Sequence, residues 1–214
     1  MFLVSSLRYG LSKAQSIRGF PRSRGGPAAG CQAYAVAVPP MPPELTTPRL
    51  RLRMRDGRDA GWSLALLAED PATPDRGIEE ERERLDAHRH AADAAGFGLY
   101  TIEVAETGEP VGYCGLIVGR ASAEQPELAY ELLRRHVGNG YATEAAAAIV
   151  DAAFAAGFPM LWATVASWNA PSFGVLRKLG FAATRRAGFD GGSVFVWLRC
   201  RAPARRHRAA PSLP

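Results

Sequence analysis

Three groups of residues have the types and spacing that chemistry requires. The first runs Arg135-His136-Val137-Gly138-Asn139-Gly140-Tyr141-Ala142, between an apolar, strand-like segment and an alanine-rich stretch that reads as a helix. An Arg-x-x-Gly-x-Gly turn opening into a helix leaves backbone N–H groups unpaired and pointing forward. Glycines remove the Cβ atoms that would hold a ligand off, and the helix start adds partial positive charge. Such a turn suits a pyrophosphate. The second group, Asn169-Ala170-Pro171-Ser172, leads through a short helix to Leu179-Gly180-Phe181. In the third, Glu127 and Glu131 flank Ala129 on a strand, so both carboxylates share one face while Leu128, Tyr130 and Leu132 take the other.

With both motifs in place, the chain resembles the GNAT superfamily of acetyl-CoA-dependent N-acetyltransferases. The wording Thr47-Pro48-Arg49-Leu50-Arg51-Leu52-Arg53 and Gly140-Tyr141-Ala142-Thr143-Glu144-Ala145 is most similar to the branch that includes ribosomal-protein N-terminal acetyltransferases. The resemblance covers residues 44–200. It implies a mixed α/β fold, with a twisted sheet of about seven strands and about four flanking helices, splayed where the cofactor binds.

The resemblance also implies which residues meet acetyl-CoA. Pantetheine amides would fill main-chain positions of Leu132, Leu133 and Arg134 on the splayed strand. Arg135 matches the motif's first position. Backbone amides of Gly138, Asn139, Gly140, Tyr141, Ala142 and Thr143 would hold the pyrophosphate, with a further hydrogen bond from the Thr143 hydroxyl. Asn169 would reach the pantetheine near its thiol. Many relatives carry a tyrosine late in the following helix as acid for the departing thiolate. Leu176 stands there in this chain, which leaves Ser172, Tyr130 or a water.

Acetyl transfer to an amine needs the neutral amine, so a proton must leave an ammonium. It also needs a donor for the tetrahedral oxyanion, for which a backbone N–H of the splayed strand is the expected supplier. Glu127-Leu128-Ala129-Tyr130 resembles the family's Glu-Ile-Gly-Tyr, so Glu127 is the first choice as base and Glu131 the second. The plainer alternative for each is a solvated carboxylate at a strand edge. Direct attack by the amine is expected. No Gly-x-Ser-x-Gly elbow is present, and Cys114 has no identifiable activating partner. No metal site is expected, because His88 and His90 are two apart on a helix and diverge into solvent. Two other readings stay open: an acyl-CoA-binding module that catalyses little, and a protein that touches nucleic acid through arginine-rich tails.

The elements that must position these groups follow from periodicity. Leu50–Met54 alternates as a half-buried strand. Asp59–Ala68 and Ile78–Ala95 read as helices, the second carrying a solvated Glu80–Arg84 pair and stopping at Gly96. Residues 97–104 and 111–118 form a hairpin across the Glu106–Glu109 turn. A strand over 127–133 enters the glycine turn. A helix over 141–156 closes at Gly157, a strand follows over 160–166, and a short helix over 172–179. A terminal hairpin pairs 181–187 with 194–198.

Charge is unevenly spread. The net charge of +5 over 214 residues comes from the ends. Residues 1–43 hold Arg8, Lys13, Arg18, Arg22 and Arg24 and no acid, and 199–214 hold five arginines and no acid, so the intervening body is acidic. A basic nucleic-acid groove on the body is not expected. The organisation expected is a disordered basic extension over 1–43, the catalytic domain over 44–200 and a disordered tail over 201–214. The extension reads as upstream sequence before a true initiator at Met41, as a targeting segment, or as a functional tail. No apolar run is long enough to span a membrane. Cys31, Cys114 and Cys200 lack ligand spacing, which agrees with a reducing compartment, so a cytoplasmic location is expected, or an organellar one if the extension targets. The expected state is a monomer or homodimer, with acetyl-CoA and an amine as partners.

Overall fold

The computed structural model describes residues 39–71, 73, 75–190 and 193–202. In chain order the strands are β1 (Glu44–Thr46), β2 (Leu50–Met54), β3 (Leu99–Val104), β4 (Pro110–Ile117), β5 (Glu127–Leu132), β6 (Met160–Ala166), β7 (Ala182–Asp190) and β8 (Ser193–Arg201). The helices are α1 (Ala60–Ala68), α2 (Ile78–Ala95), α3 (Tyr141–Ala156) and α4 (Ala170–Lys178). One sheet holds all eight strands in the order β1-β2-β3-β4-β5-β6-β8-β7, and only β5 and β6 run parallel. The strand beyond the expected seven is β1, whose three residues pair antiparallel with Arg51–Arg53.

Alternation along the strands sorts side chains onto two faces. Leu50, Leu52, Met54, Tyr100, Ile102, Cys114, Leu116, Leu128 and Tyr130 face the main core. There α3 adds Ala145, Ala146, Ile149, Val150 and Ala153, a stripe at helical spacing, and α4 adds Leu176. Leu66 of α1 packs on Tyr113 and Leu133 in a smaller cluster on the opposite face, joined by Trp62 and Leu99. The packed body reaches back past residue 44. Met41 is buried and its N–H donates to Gly96 C=O at 2.8 Å, while the Tyr100 hydroxyl donates to Pro42 C=O at 2.6 Å. At the other end β8 runs through Arg201, one residue into the expected tail.

The charged helix α2 departs from its solvated reading. Glu80 pairs with Arg76, and Arg84 turns instead to Glu81 at 2.5 Å. Glu81 is fully buried because Arg76 and Ser63 also reach it, and Arg55 in turn donates to Ser63 Oγ. His88 is half-buried beside Arg84, not solvent-facing, and burial with that charge pushes its pKa down to about 4.

Candidate active site

The glycine turn has the backbone its sequence requires. A short 3-10 turn over Arg134–His136 follows β5, and α3 begins at Tyr141. Gly138 and Gly140 both take left-handed backbone, at φ 91° and 80°, where a side chain would be strained. A Cβ at Gly138 would meet nothing within 4 Å, so this side of the turn lies open. The side chains of Arg135 and His136 turn away and meet Glu109 Oε1, each at 3.1 Å. Only main-chain groups are therefore offered to an anion from this stretch. Tyr141, Ala142 and Thr143 form the first turn of α3, so their N–H groups precede the first intrahelical partners.

Beside the turn the sheet opens. β5 and β6 pair at one position, Glu127 with Trp162, and diverge beyond it. Leu133 N–H donates to Val111 C=O at 2.9 Å, which fixes the phase of the antiparallel ladder with β4. Alternation then turns the main chain of Tyr130 and Leu132 toward the opening, and that of Glu131 and Leu133 away from it. Two of the three expected pantetheine positions have main-chain groups engaged within the chain. Leu133 C=O accepts from His136 N–H, so both of its groups are engaged. Arg134 N–H donates to the Glu69 carboxylate at 3.0 and 3.1 Å, and Arg134 C=O accepts from Val137 N–H. Leu132 turns its main chain to the opening.

The two carboxylates of β5 are buried, at 1% exposure for Glu127 and 4% for Glu131, which removes the reading of them as solvated edge residues. Their surroundings differ. Glu131 accepts from the Tyr113 hydroxyl at 3.2 Å. Glu127 Oε2 accepts from Arg120 N–H at 3.0 Å, and its Oε1 is buried without a hydrogen-bond partner among the described residues. Thr164 of β6 stands near enough to temper the charge, short of a well-formed hydrogen bond. Burial pushes the Glu127 carboxyl above its ordinary range against the pull of the Arg120 N–H. The turn after β4 is shaped around it, since a Cβ on Gly119 would overlap Glu127 Oε2.

At the far side of the opening, Asn169 caps α4, its Oδ1 accepting from Ser172 N–H at 3.3 Å. This cap starts the helix two residues before the expected Ser172. The Ser172 side chain is buried and its Oγ has no hydrogen-bond partner among the described residues. The Tyr130 hydroxyl donates to Ser172 C=O at 3.3 Å, so the two hydroxyl-bearing residues meet at the start of α4. Burial raises the Tyr130 pKa strongly. Leu176 lies in the core, with no means of donating a proton. Cys114 is buried and burial pushes its thiol up, so the thiolate needed for nucleophilic work is disfavoured. Cys31 lies outside the described residues.

Sequence reasoning missed three participants in this arrangement: Tyr113, Glu69 and Arg49. Tyr113 faces Glu131 by cross-strand register, Glu69 meets Arg134 from the end of α1, and Arg49 donates to Asn139 C=O at 3.0 Å. None carried a local signal, because each contact joins segments far apart in the chain. Among the described residues no three His, Cys, Asp or Glu side chains converge as a metal site would need, and no helix is long and apolar enough to cross a membrane.

Comparison with known proteins agrees with this geometry. The acetyltransferase (GNAT) domain family matches residues 49–182. The Bacillus subtilis (strain 168) protein YkkB, itself uncharacterised, is 33% identical over 144 residues, covering 64% of this chain and 84% of YkkB. Among solved structures, the ribosomal-protein-S5-alanine acetyltransferase from Vibrio fischeri superposes with a TM-score of 0.63 at 15% identity, covering 75% of this chain and 97% of that one. The yncA protein of Salmonella typhimurium, solved with its cofactor acetyl-CoA, gives 0.59 at 19% identity, covering 77% and 99%. These two likenesses concern the fold. This chain belongs to the GNAT family of acetyltransferases, acyltransferase enzymes that draw on acetyl-CoA.

Proposed function

We propose that this enzyme transfers the acetyl group of acetyl-CoA to a primary amine, of a protein N-terminus or a small molecule, by direct attack. One observation carries the reading: among the described residues β5 and β6 pair only at Glu127–Trp162, and the Gly138–Gly140 turn and the start of α4 follow the ends of these two strands. The residues fit acetyl-CoA. The turn presents amides from Gly138, Asn139, Gly140, Tyr141, Ala142 and Thr143 to the pyrophosphate, Leu132 main chain meets a pantetheine amide, and Asn169 and Ser172 lie toward the thiol. The unpartnered Ser172 hydroxyl is what a site that meets a ligand there would hold.

In the reaction the ammonium proton first passes to Glu127, the neutral amine nitrogen then bonds to the acetyl carbon, and a main-chain N–H of β5 steadies the oxyanion. The C–S bond then breaks, the Ser172 hydroxyl gives its proton to the thiolate in place of the absent tyrosine, and the second proton shed by the nitrogen returns to Ser172. Glu127 is preferred to Glu131 because its Oε1 is uncommitted and its raised pKa lies nearer the working range of a base. The test is acetyl transfer to a panel of peptide N-termini and small amines, followed by mass spectrometry. N-acetylated product with the wild type and a loss of about 10²–10⁴-fold in Glu127→Gln is expected. Binding of acetyl-CoA without turnover on any amine would favour the acyl-CoA-binding module.

A further inference from the structure

We infer that Arg49 is a positioning residue for the cofactor turn: its guanidinium sets the direction of the Asn139–Gly140 peptide and cancels the charge of Glu144 beside it. The inference rests on the proposed reading of the turn as the pyrophosphate site.

Arg49 stands just ahead of β2, and its own C=O is fixed by Ala105 N–H at 2.9 Å. From that anchored position Nη1 donates to Asn139 C=O at 3.0 Å. A trans peptide carries its C=O and N–H on opposite sides, and no described peptide is cis. Holding the Asn139 oxygen toward Arg49 therefore sends Gly140 N–H the other way. The guanidinium lies close, with Nη2 3.4 Å from where a Cβ on Gly140 would stand and the charge 4.9 Å from the Tyr141 ring centre.

Glu144 is the second group that Arg49 holds. A carboxylate in the first turn of α3 suits the helix dipole, yet it sits where a pyrophosphate would bring like charge. Arg49 grips it through Nε at 2.7 Å and Nη2 at 2.6 Å. Arg49 N–H and the Thr47 hydroxyl add hydrogen bonds to Oε1 at 3.0 and 2.6 Å. The paired carboxylate is thus neutralised before an anion arrives. Residues 47–49 and Glu144, ninety-five to ninety-seven positions apart, form one brace behind the turn.

The test is the CoA affinity of the full chain by titration calorimetry, with the Michaelis constants for acetyl-CoA alongside. Arg49→Ala is expected to weaken CoA about tenfold or more, through both the freed peptide and the bared carboxylate, with the kinetic loss falling on KM rather than kcat. Glu144→Gln removes the charge and keeps one of the two accepting oxygens, so its CoA affinity should fall less than that of Arg49→Ala. The double variant should recover part of the Arg49→Ala loss. Arg49→Ala, folded, with CoA affinity within about twofold of wild type would overturn the inference. If Arg49→Ala does not fold, Arg49→Lys carries the test, because one ammonium cannot hold Asn139 C=O and the carboxylate fork together. Weaker CoA binding in Arg49→Lys supports the brace, and unchanged binding overturns it. A wild type that fails to bind CoA sinks the pyrophosphate reading itself, a separate outcome.

Discussion

The Tyr113 hydroxyl donates to Glu131 Oε2 across 3.2 Å from the position directly opposite on the neighbouring strand. Behind the phenol, the Arg55 guanidinium lies 5.1 Å from the Tyr113 ring centre and 4.7 Å from that of Trp62. Glu131 is thereby held in place, while Glu127, on the same face of the strand, keeps an oxygen without a hydrogen-bond partner among the described residues. Tyr113→Phe leaves a buried carboxylate short of a donor and should cost about 1.5 kcal/mol of stability, read by denaturant titration. Its activity should fall less than that of Glu127→Gln. A larger fall in Tyr113→Phe would move the base from Glu127 to Glu131.

Glu127 sets stability against catalysis. Burial raises its folded pKa above the unfolded value of 4.5, so the fold favours the protonated form. The contribution of this group is full below the unfolded pKa and is lost as pH rises through the folded one. Glu127→Gln fixes the neutral form. The variant should melt above wild type at neutral pH, with the gap closing as the solution is acidified, although the base is gone. Melting curves across that range check it, and a variant less stable than wild type at neutral pH would contradict the account of the site.

Acid sensitivity should come from Glu81. Burial alone would raise its pKa, but hydrogen bonds from Arg84 and Ser63 and the Arg84 charge hold it down to about 2 against an ordinary 4.5. A depressed pKa gives stability that is present above the unfolded value and lost as pH falls toward the folded one. The amount is on the order of 3 kcal/mol. Glu81→Gln leaves Arg84 and Arg76 without their carboxylate and should destabilise at neutral pH by about 3 kcal/mol. Its stability should also fall less steeply below pH 4.5 than that of wild type, which denaturant titrations at several acidic pH values would reveal.

The parts of this fold legible in the sequence were those whose cause is local. Gly96 and Gly157 end their helices in left-handed backbone, and Gly138 and Gly140 are glycines because the turn needs positive φ. The stripes of α3 and β5 follow from period alone. β1 escaped because three residues carry no period and exist through pairing with β2. Burial of Glu81, Glu127 and Glu131 escaped because Ser63, Arg120 and Tyr113 reach them from other elements. The pantetheine positions illustrate the same limit. Which partners the main chain of Leu132, Leu133 and Arg134 takes within the chain depends on Val111 fixing the ladder phase and on Glu69 reaching Arg134, and neither shows in the motif.

The most direct test of the cofactor site is the thermal shift that acetyl-CoA produces in the wild type and in Gly138→Asp. A Cβ at Gly138 meets nothing within 4 Å, so the aspartate clashes with no neighbour; the left-handed backbone there carries strain that lowers the melting point of the unliganded variant, and the carboxylate lies at the open side of the turn. At about 100 times its dissociation constant, acetyl-CoA should stabilise the wild type by roughly 2.7 kcal/mol. The account predicts that this shift disappears in Gly138→Asp while the unliganded variant still melts cooperatively. An equal shift in both proteins would contradict it, because the pyrophosphate would then lie somewhere other than the turn.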